Sequence, residues 1–401
     1  MRIGIYGGSF DPFHNGHLAL IKSAWETGKL DKILVIPVGT APHKSHRMSL
    51  AAYRYEMARL GTTGLNYVEL LDDEIASKGV DYTLETVRHL RRVYARKAKS
   101  LKFDLIVGSD VLFTFETWHK PKELSAEVRL LVALRGNQNE QEAKEKAEAL
   151  RAAFGTKIKF FYMPPIELSS TLLREALAAE KDVSQLVPDA VHQFIKSNRI
   201  YEFGKDIAAI DDETWHRLLE LEIEIWPLMP QKRRVHTLNV MLYAVRLARL
   251  HGLDVAQAAI AGLVHDCAKH LPMKLQMKYA KRAGNIAILN DEVAHGPAGS
   301  YYARKKLGIT DRDVLAAIFY HTTSRGLMTP LDQVIYLADK SEYGRPFKDL
   351  EPIRKAAKKD LDLAMELCIN EVFKALSRSK KEVHPFTKAA KLTLTHFKPQ
   401  K

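Results

Sequence analysis

The chain of 401 residues is long for one domain and natural for two, each large enough to bury its own core. Its apolar content of 46% and charged content of 27% are typical of a soluble globular protein, and no run of about 18 apolar residues predicts a membrane span. The formal charge of +13 suits phosphate-rich ligands; because the basic residues are spread along both halves, small polyphosphates are favoured over nucleic acid.

The cysteine content bears on the compartment. Cys267 and Cys368 are the only cysteines, which excludes a disulfide framework and fits a reducing cytoplasm. The N-terminus leads directly into an apolar strand pattern instead of a signal-peptide pattern. We therefore expect a cytoplasmic protein. The sequence leaves the oligomeric state open, including a homo-oligomer.

The first structural signal is the stretch from residue 4 to residue 17, GIYGGSFDPFHNGH. Residues 2–6 are short, apolar and β-prone, and residues 16–30 carry apolar side chains near helical spacing. Gly7 and Gly8 allow a sharp turn without a Cβ atom, so that an anion can approach the main chain beside the positive end of the helix. The stretch therefore predicts a phosphate-binding loop.

Two histidines sharpen this prediction. His14 and His17 lie three residues apart around the helix start, where both can point at one phosphate. Imidazoles that donate hydrogen bonds to an α-phosphate stabilise the charge that develops during in-line displacement. The pattern is neither Walker A nor GxGxxG, and the competing interpretation is two polar surface histidines. The strand, the glycine pair and the helix start favour the phosphate site.

The first half alternates strands with helices. Strands are predicted at 2–6, 32–38, 67–71, 103–107, 128–134 and 158–163, with helices at 16–30, 50–60 and 83–94. This alternation predicts an α/β fold with a doubly wound parallel sheet, whose ligand lies at the carboxyl ends of the strands.

Loops that follow the strands carry candidate ligand contacts. The loop at 37–44 presents Lys44 as a phosphate contact, and Trp118 can either stack on a planar ring or belong to the core. The segment 168–174 opens a helix that Ser169 or Ser170 can cap. Arg174 lies one turn inside this helix, where its guanidinium can reach phosphates.

Residues 1–203 resemble the bacterial nicotinate-nucleotide adenylyltransferases, the NadD-like family. The resemblance rests on the motifs at 7–17, 41–44, 82–86, 108–110 and 169–174 and on Trp118, all in family order. It implies a Rossmann-like nucleotidyltransferase that transfers AMP from ATP to nicotinate mononucleotide with Mg²⁺, giving deamido-NAD and pyrophosphate. Ala41 departs from the family, which often has a second proline there.

The same resemblance implies roles for single residues. His14 and His17 would contact the ATP phosphates, Lys44 the mononucleotide side, and Trp118 would stack on the nicotinate ring. The expected catalytic residues are His14, His17 and Arg174, and the expected binding residues are Gly7, Gly8, Ser9, Phe10, Lys44, Thr83, Gly108, Asp110, Trp118, Ser170 and Thr171. Phosphopantetheine adenylyltransferases share the His-x-Gly-His loop, so that the choice of nicotinate depends on Trp118 and the loop with Lys44. The sequence does not choose between nicotinate and nicotinamide mononucleotide.

The second half changes character after residue 203. Residues 204–211 are predicted to form a linker, and residues 212–401 carry helical patterns, among them 235–250, 255–264, 314–319, 331–338 and 353–376. We predict an all-α bundle, which can bury a site between facing helices.

A set of histidines and aspartates in these helices needs an explanation. It consists of His236, His265, Asp266, His295, His321 and Asp339. His265 and Asp266 lie in an apolar stretch, where an unpaired acid and imidazole are costly to bury, and a bound metal would offset that cost. Lys269, one turn after His265, can neutralise a substrate phosphate. The competing interpretation is that two or more of the histidines are ordinary helix residues.

These residues resemble the HD hydrolase superfamily, specifically its bacterial YqeK-like branch, which hydrolyses diadenosine tetraphosphate symmetrically. The motifs at 233–237, 263–269, 295–299, 320–323 and 335–345 carry the resemblance. It implies a first metal on His236, His265, Asp266 and Asp339, and a site extended towards a second metal by His295 and His321. Asp266 and Lys269 are expected to be catalytic, and Thr322, Thr323 and Arg345 to contact phosphates. A mixed set of imidazoles and carboxylates suits iron, manganese or cobalt.

Two classes of function follow from the whole sequence. The favoured class is a bifunctional enzyme with ATP, nicotinate mononucleotide and diadenosine tetraphosphate as substrates. The alternative is an adenylyltransferase with a regulatory or nucleic-acid-binding helical module, whose metal site is not catalytic. Convergence of the six candidate ligands in one open site would discriminate between the two classes.

Overall fold

The computed structural model describes residues 1–39, 47–77, 82–97, 100–135, 140–164, 168–284, 290–345 and 350–396. They fall into two compact units, Met1–Ile195 and Lys196–Lys401. Lys44, a predicted phosphate contact, lies outside the described residues.

Six parallel strands form the sheet of the first unit. They are β1 (Arg2–Gly8), β2 (Lys32–Pro37), β3 (Val68–Leu70), β4 (Lys102–Gly108), β5 (Val128–Arg135) and β6 (Lys157–Met163). Their order across the sheet is β3-β2-β1-β4-β5-β6, and every neighbouring pair is parallel. This order reverses direction beside β1, as in a doubly wound fold, so the predicted fold class is confirmed.

The sheet is buried because helices follow its strands. The helices of the first unit are α1 (Asn15–Gly28), α2 (Ala51–Gly61), α3 (Thr83–Tyr94), α4 (Asp110–Thr114), α5 (Pro121–Glu127), α6 (Glu140–Phe154), α7 (Ser170–Ala178) and α8 (Asp189–Asn198), of which α8 runs past the boundary at Ile195. The central strands are continuous apolar runs instead of alternating ones, since both faces of a parallel sheet are covered. In β2, for example, Ile33, Leu34, Val35 and Ile36 are all buried.

The second unit is helical throughout its described part. Its helices are α9 (Gly204–Ala208), α10 (Asp212–Ile225), α11 (Gln231–Leu250), α12 (Val255–Val264), α13 (Met273–Ala283), α14 (His295–Lys306), α15 (Arg312–Tyr320), α16 (Pro330–Ser341), α17 (Glu351–Ala357), α18 (Leu361–Arg378) and α19 (Pro385–His396). The predicted all-α second half is confirmed. Of these helices, none has the length and apolarity that crossing a membrane requires.

Two details differ from the sequence prediction. The segment predicted as a linker, 204–211, contains α9, and its buried Asp206 accepts hydrogen bonds from Arg246 (2.8 Å) and Arg249 (2.7 Å) of α11. It is therefore a fixed part of the second unit. The single helix expected at 353–376 is two helices, α17 and α18, because the Asp360 side chain caps a new helix start by accepting from the backbone of Leu363. The assignment of 1–203 and 212–401 to separate activities stays a prediction.

Candidate functional sites

The first candidate site lies where β1 and β4 part. These strands pair only from Arg2 to Ile5 and from Lys102 to Leu105, and their carboxyl ends continue without pairing to each other. A crevice at the reversal of strand order is where doubly wound sheets bind ligands. The end of β1 leads into the phosphate loop, residues 7–17, and the end of β4 leads into α4.

His14 and His17 are held together at the start of α1. The backbone N–H of His14 donates to Nδ1 of His17 at 3.1 Å, and the two rings stack with centroids 3.7 Å apart. Phe10 and Phe13 pack against the His17 ring at 5.1 and 5.3 Å. Because Nδ1 of His17 accepts a hydrogen bond, its neutral ring carries the proton on Nε2, which makes Nε2 a donor.

The two glycines of the phosphate loop have different surroundings. A Cβ atom on Gly8 would lie 2.8 Å from Cε1 of Phe10, whose backbone has a φ of 50° and whose ring is buried. A Cβ atom on Gly7 would meet only the Ile36 carbonyl, at 3.9 Å. Gly8 is therefore required by the packing of the loop, whereas the exposed Gly7 is not.

Arg174 reaches the phosphate loop from α7. Its Nη1 donates to the Asp11 carbonyl at 2.8 Å, and its Nη2 donates to the Thr171 hydroxyl at 3.2 Å. The helix cap is Ser169, whose side chain accepts from the backbone of Leu172 at 3.2 Å. Ser170, the alternative cap, is thus the first residue of α7.

Arg54, which sequence reasoning missed, joins the phosphate loop to the loop after β2. Arg54 is 2% exposed, and its guanidinium donates to the carbonyls of Ser9 (3.2 Å), Val38 (2.7 Å), Gly39 (3.0 Å) and Ser49 (2.8 Å). The sequence offered no signal for this role, because an arginine within a helical pattern is ordinarily a solvated side chain.

The remaining predicted contacts of this unit lie on elements that leave the sheet at its carboxyl edge. Thr83 begins α3, Gly108 ends β4 and the exposed Asp110 begins α4. Trp118 is half-buried, with its ring 5.7 Å from that of Phe115. Tyr82, just before α3, stacks on His119 with centroids 4.1 Å apart. This contact ties the start of α3 to the turn that carries Trp118.

The second candidate site is a histidine–aspartate cluster in the helical unit. It comprises His236 on α11, His265 and Asp266 after α12, His295 at the start of α14, His321 after α15 and Asp339 on α16, and all six are buried. These side chains lie on or next to five helices, and in α12, α14, α15 and α16 they lie near a helix end. The six predicted ligands therefore converge.

Asp266 lies at the centre of this cluster. Its Oδ2 lies 3.9 Å from Nε2 of His236 and 3.5 Å from Nε2 of His265. Its Oδ1 lies 3.5 Å from Nε2 of His295 and 3.4 Å from Nε2 of His321. The cluster thus forms two donor groups that share Asp266. Asp339 belongs with the first group, since its Oδ1 lies 3.1 Å from Nε2 of His236.

Hydrogen bonds from Nδ1 to backbone carbonyls orient the imidazoles of His265 and His321 so that their Nε2 atoms face Asp266. Nδ1 of His265 donates to the Gly262 carbonyl and Nδ1 of His321 donates to the Ile318 carbonyl, both at 2.7 Å. These bonds leave Nε2 unprotonated in the neutral rings, as a metal ligand requires. Burial lowers the pKa of His265, and burial together with the neighbouring His321 holds the pKa of His295 well below its usual range.

The cluster fits a divalent metal. Nε2 of His265 is buried and, among the described residues, has no hydrogen-bond partner, which is costly for a polar atom unless a ligand satisfies it. Imidazoles and carboxylates together are a donor set for transition metals. Burial alone would raise the pKa of Asp266, but His265, His321 and Lys269 hold it well below its usual range, so the carboxylate stays ionised.

Four cationic side chains surround the carboxylates. Arg233 lies 2.8 Å from Asp266 Oδ2, and Lys269 lies 3.3 Å from the same oxygen. Arg345 and Lys340 contact Asp339 at 2.8 and 2.7 Å. Arg233 and Lys340 were not singled out from the sequence; Arg233 lies one turn before His236, which is the signal that could have found it.

The two predicted threonine contacts differ in orientation. The Thr322 hydroxyl lies 3.2 Å from Nε2 of both His295 and His321. The Thr323 side chain is buried and donates to the Ser324 carbonyl at 3.0 Å. Thr322 therefore faces the cluster, whereas Thr323 serves the loop itself.

Known proteins resemble each half of the chain. Residues 5–176 match the cytidylyltransferase-like family, and residues 233–344 match the HD domain family. A probable nicotinate-nucleotide adenylyltransferase of Clostridium acetobutylicum is 31% identical over 198 residues, 49% of this chain and 97% of the relative. A symmetrical bis(5'-nucleosyl)-tetraphosphatase of Halalkalibacterium halodurans is 36% identical over 166 residues, 41% of this chain and 89% of the relative.

A further relative spans both halves. This protein of Mycoplasma genitalium, described as a probable nicotinate-nucleotide adenylyltransferase/Ap4A hydrolase, is 26% identical over 380 residues, 92% of this chain and 97% of the relative. Fold and sites thus define a two-part enzyme, an α/β nucleotidyltransferase unit followed by an HD-type helical unit. The chain belongs to the nicotinate-nucleotide adenylyltransferase family through its first half and to the symmetrical bis(5'-nucleosyl)-tetraphosphatase family through its second half. Both resemblances drawn from the sequence are confirmed.

Proposed function

We propose that the chain is a bifunctional enzyme. Its first unit adenylylates nicotinate mononucleotide with ATP and Mg²⁺, giving deamido-NAD and pyrophosphate. Its second unit hydrolyses diadenosine tetraphosphate to two ADP. The main support for the proposal is the convergence of six buried histidines and aspartates, with Asp266 shared between two donor groups. The same chain also has a pair of stacked histidines at the crevice of its sheet.

In the first reaction, a phosphate oxygen of the mononucleotide attacks the α-phosphorus of ATP. The new O–P bond forms as the bond from the α-phosphorus to the bridging oxygen breaks, and pyrophosphate leaves. His17 would donate from Nε2 to the α-phosphate, with its ring fixed by the His14 backbone and by Phe10. Arg174, already bonded to the Asp11 carbonyl, would hold the triphosphate together with Ser170 and Thr171.

The nicotinate side of this site is assigned to Trp118 and the start of α3. A half-buried tryptophan offers one ring face for stacking on the pyridine ring. The Tyr82–His119 contact supports this assignment because it holds the start of α3 close to the turn that contains Trp118. Thr83, Gly108, Asp110 and Lys44 complete the proposed substrate contacts.

In the second unit, His236, His265, Asp266 and Asp339 would hold one metal, and Asp266, His295 and His321 would hold another. Iron, manganese and cobalt are the candidates for this donor set. A divalent metal bound there supplies a Lewis acid and lowers the pKa of a water ligand. The chain itself excludes bulk water, since all six side chains are buried, and it keeps Asp266 ionised.

The surrounding cations would bind the tetraphosphate. Arg233, Lys269 and Arg345 are each about one-quarter to one-third exposed beside the cluster, so a phosphate chain can reach them. The Thr322 hydroxyl faces the same space. Water attacks one of the two central phosphorus atoms, the bond from that phosphorus to the bridging oxygen at the centre of the chain breaks, and ADP leaves with that oxygen. The oxygen of the attacking water becomes a phosphate oxygen of the other ADP, and the two protons of that water pass to phosphate oxygens of the products or to solvent.

The proposed compartment is the cytoplasm, in agreement with two free buried cysteines. The alternative of a helical module with a non-catalytic metal predicts a closed ligand set without substrate-binding cations. The partly exposed guanidinium and ammonium groups around Asp266 and Asp339 favour the hydrolase.

One experiment tests the second activity. The purified full-length protein is incubated with diadenosine tetraphosphate and Mn²⁺, Co²⁺ or Fe²⁺, and the products are separated by chromatography. We expect ADP as the sole nucleotide product. Formation of ATP and AMP would contradict symmetrical cleavage. No turnover with any of these metals, or equal turnover by Asp266→Asn, would contradict hydrolysis at the cluster.

A further inference from the structure

The last helix of the chain reaches the loop that follows His321. Thr387 on α19 is 4% exposed, and its hydroxyl donates to the Thr323 carbonyl at 2.5 Å. A second contact lies beside it, where the rings of Phe386 and Tyr320 meet edge to face with centroids 5.7 Å apart. Helix α19 lies well beyond the residues that match the HD domain family, 233–344.

The hydrogen bond from Thr387 is made to the residue that follows Thr322, whose hydroxyl faces the histidine–aspartate cluster. Thr322 precedes Thr323, and its hydroxyl lies 3.2 Å from Nε2 of both His295 and His321. Ser324, which follows, has a φ of 57° and donates its backbone N–H to the Tyr320 carbonyl at 2.7 Å. The Thr323 carbonyl, which also accepts from the Ser324 hydroxyl, is therefore one point at which the turn formed by residues 320–324 is attached to α19.

Beyond this turn the loop is open on one side. Leu327 is 76% exposed, and residues 325–328 line a cavity of about 460 Å³ whose opposite wall includes Leu363 of α18 and Ala390 of α19. The cavity provides few partner atoms for residues 325–328, whereas Thr323 and Ser324 are themselves buried. Thr387 and the Phe386–Tyr320 contact hold the turn from α19, and Arg325, whose Nε donates to the buried Asp332 at 2.8 Å, holds it from α16.

We propose that Thr387 is a positioning residue of the hydrolase site. By fixing the Thr323 carbonyl, it keeps the Thr322 hydroxyl at the entrance to the cluster, where a substrate phosphate must pass. The inference rests on the proposed hydrolase function and adds α19 to the parts of the chain that function needs. Without this hydrogen bond the turn spends a larger fraction of its time away from this position. The fraction of productive complexes then falls, while the ligands on α11 and α12 stay in place.

The test compares three variants of the full-length protein. Thr387→Val removes the hydroxyl, Thr387→Ser retains it, and Thr393→Val is the matched control on α19, since the Thr393 hydroxyl bonds within its own helix to the Ala389 carbonyl at 3.0 Å. Three readouts are taken for each: kcat and KM for diadenosine tetraphosphate, the metal content, and the hydrogen exchange rate of the Ser324 amide.

We expect Thr387→Val to lower kcat by about fivefold with little change in KM, to raise the exchange rate of the Ser324 amide, and to retain its metal. Thr387→Ser and Thr393→Val should behave as the wild type. A Thr387→Val variant with wild-type kcat and exchange rate would overturn the inference. So would an equal loss in Thr393→Val or a loss of metal along with activity, because either marks a general structural effect. A wild-type enzyme that releases no ADP would instead overturn the proposed function.

Discussion

Nε2 of His236 lies 3.1 Å from Oδ1 of Asp339, although 103 positions separate the two residues. Glu342, buried one turn after Asp339, lies 3.1 Å from the other ring nitrogen of His236, and its second oxygen accepts from the Gly344 backbone. Burial alone would lower the pKa of His236, but the hydrogen bonds to Asp339 and Glu342 raise it. Glu342 therefore orients a proposed metal ligand, and sequence reasoning did not name it.

Replacement of Glu342 by glutamine should weaken metal binding by about 10- to 100-fold. A glutamine is neutral, so the imidazole loses its charge partner. If its one carbonyl oxygen accepts from His236, its amide group opposes the Gly344 N–H, so the orientation of the imidazole is weakened as well. Metal titration followed by calorimetry measures the effect. Glu351→Gln, at an exposed carboxylate at the start of α17, is the matched control and should bind metal as the wild type does. Equal affinities for all three proteins would contradict the role of Glu342.

The two glycines of the phosphate loop should respond differently to alanine. Gly8→Ala places a methyl group against the Phe10 ring and should lower the free energy of unfolding of the first unit by about 1–3 kcal/mol. Gly7→Ala meets no such obstacle, so stability should change little, while KM for ATP should rise because the methyl group occupies the proposed path of the phosphates. Thermal unfolding and ATP kinetics separate the two effects. Unchanged ATP kinetics in Gly7→Ala would remove the backbone at Gly7 from the site.

Arg54→Lys should raise KM for ATP and lower the free energy of unfolding of the first unit by about 2–4 kcal/mol. A lysine keeps the charge but cannot reach the carbonyls of both the phosphate loop and the loop after β2. Arg59→Lys on the same helix is the control, since Arg59 pairs with Glu56 at the surface. Hydrolysis of diadenosine tetraphosphate should be unchanged in both variants. Wild-type ATP kinetics in Arg54→Lys would show that the clamp is dispensable.

The fold was predictable because its signals are local. Six apolar runs separated by helices indicate a parallel sheet, and the spacing of His14 and His17 after two glycines predicts where its ligand binds. The split between α17 and α18 was missed since it depends on one capping side chain, Asp360, inside a run that keeps helical spacing. The helical segment 204–208 was missed because the partners of the buried Asp206, which are Arg246 and Arg249, lie about 40 residues further along the chain.

The residues of the candidate sites were predictable from the sequence, but the contacts between those residues were not. The order of histidines and aspartates indicated the cluster, yet the sharing of Asp266 between two donor groups appears only when α11 to α16 are packed together. Arg54, Glu342 and Thr387 were missed for a common reason. Each acts on the backbone or on a ligand of another element, and such contacts leave no spacing pattern in the sequence.

The central claim is that one chain carries two chemistries at two separate sites, and a reciprocal assay tests it most directly. The wild type, His17→Ala and Asp266→Asn are each assayed for ATP-dependent formation of deamido-NAD and for release of ADP from diadenosine tetraphosphate. We predict that His17→Ala loses the first activity and keeps the second, whereas Asp266→Asn keeps the first and loses the second. Two separate sites would be contradicted if both substitutions reduced the same activity, if His17→Ala still formed deamido-NAD, or if Asp266→Asn still released ADP.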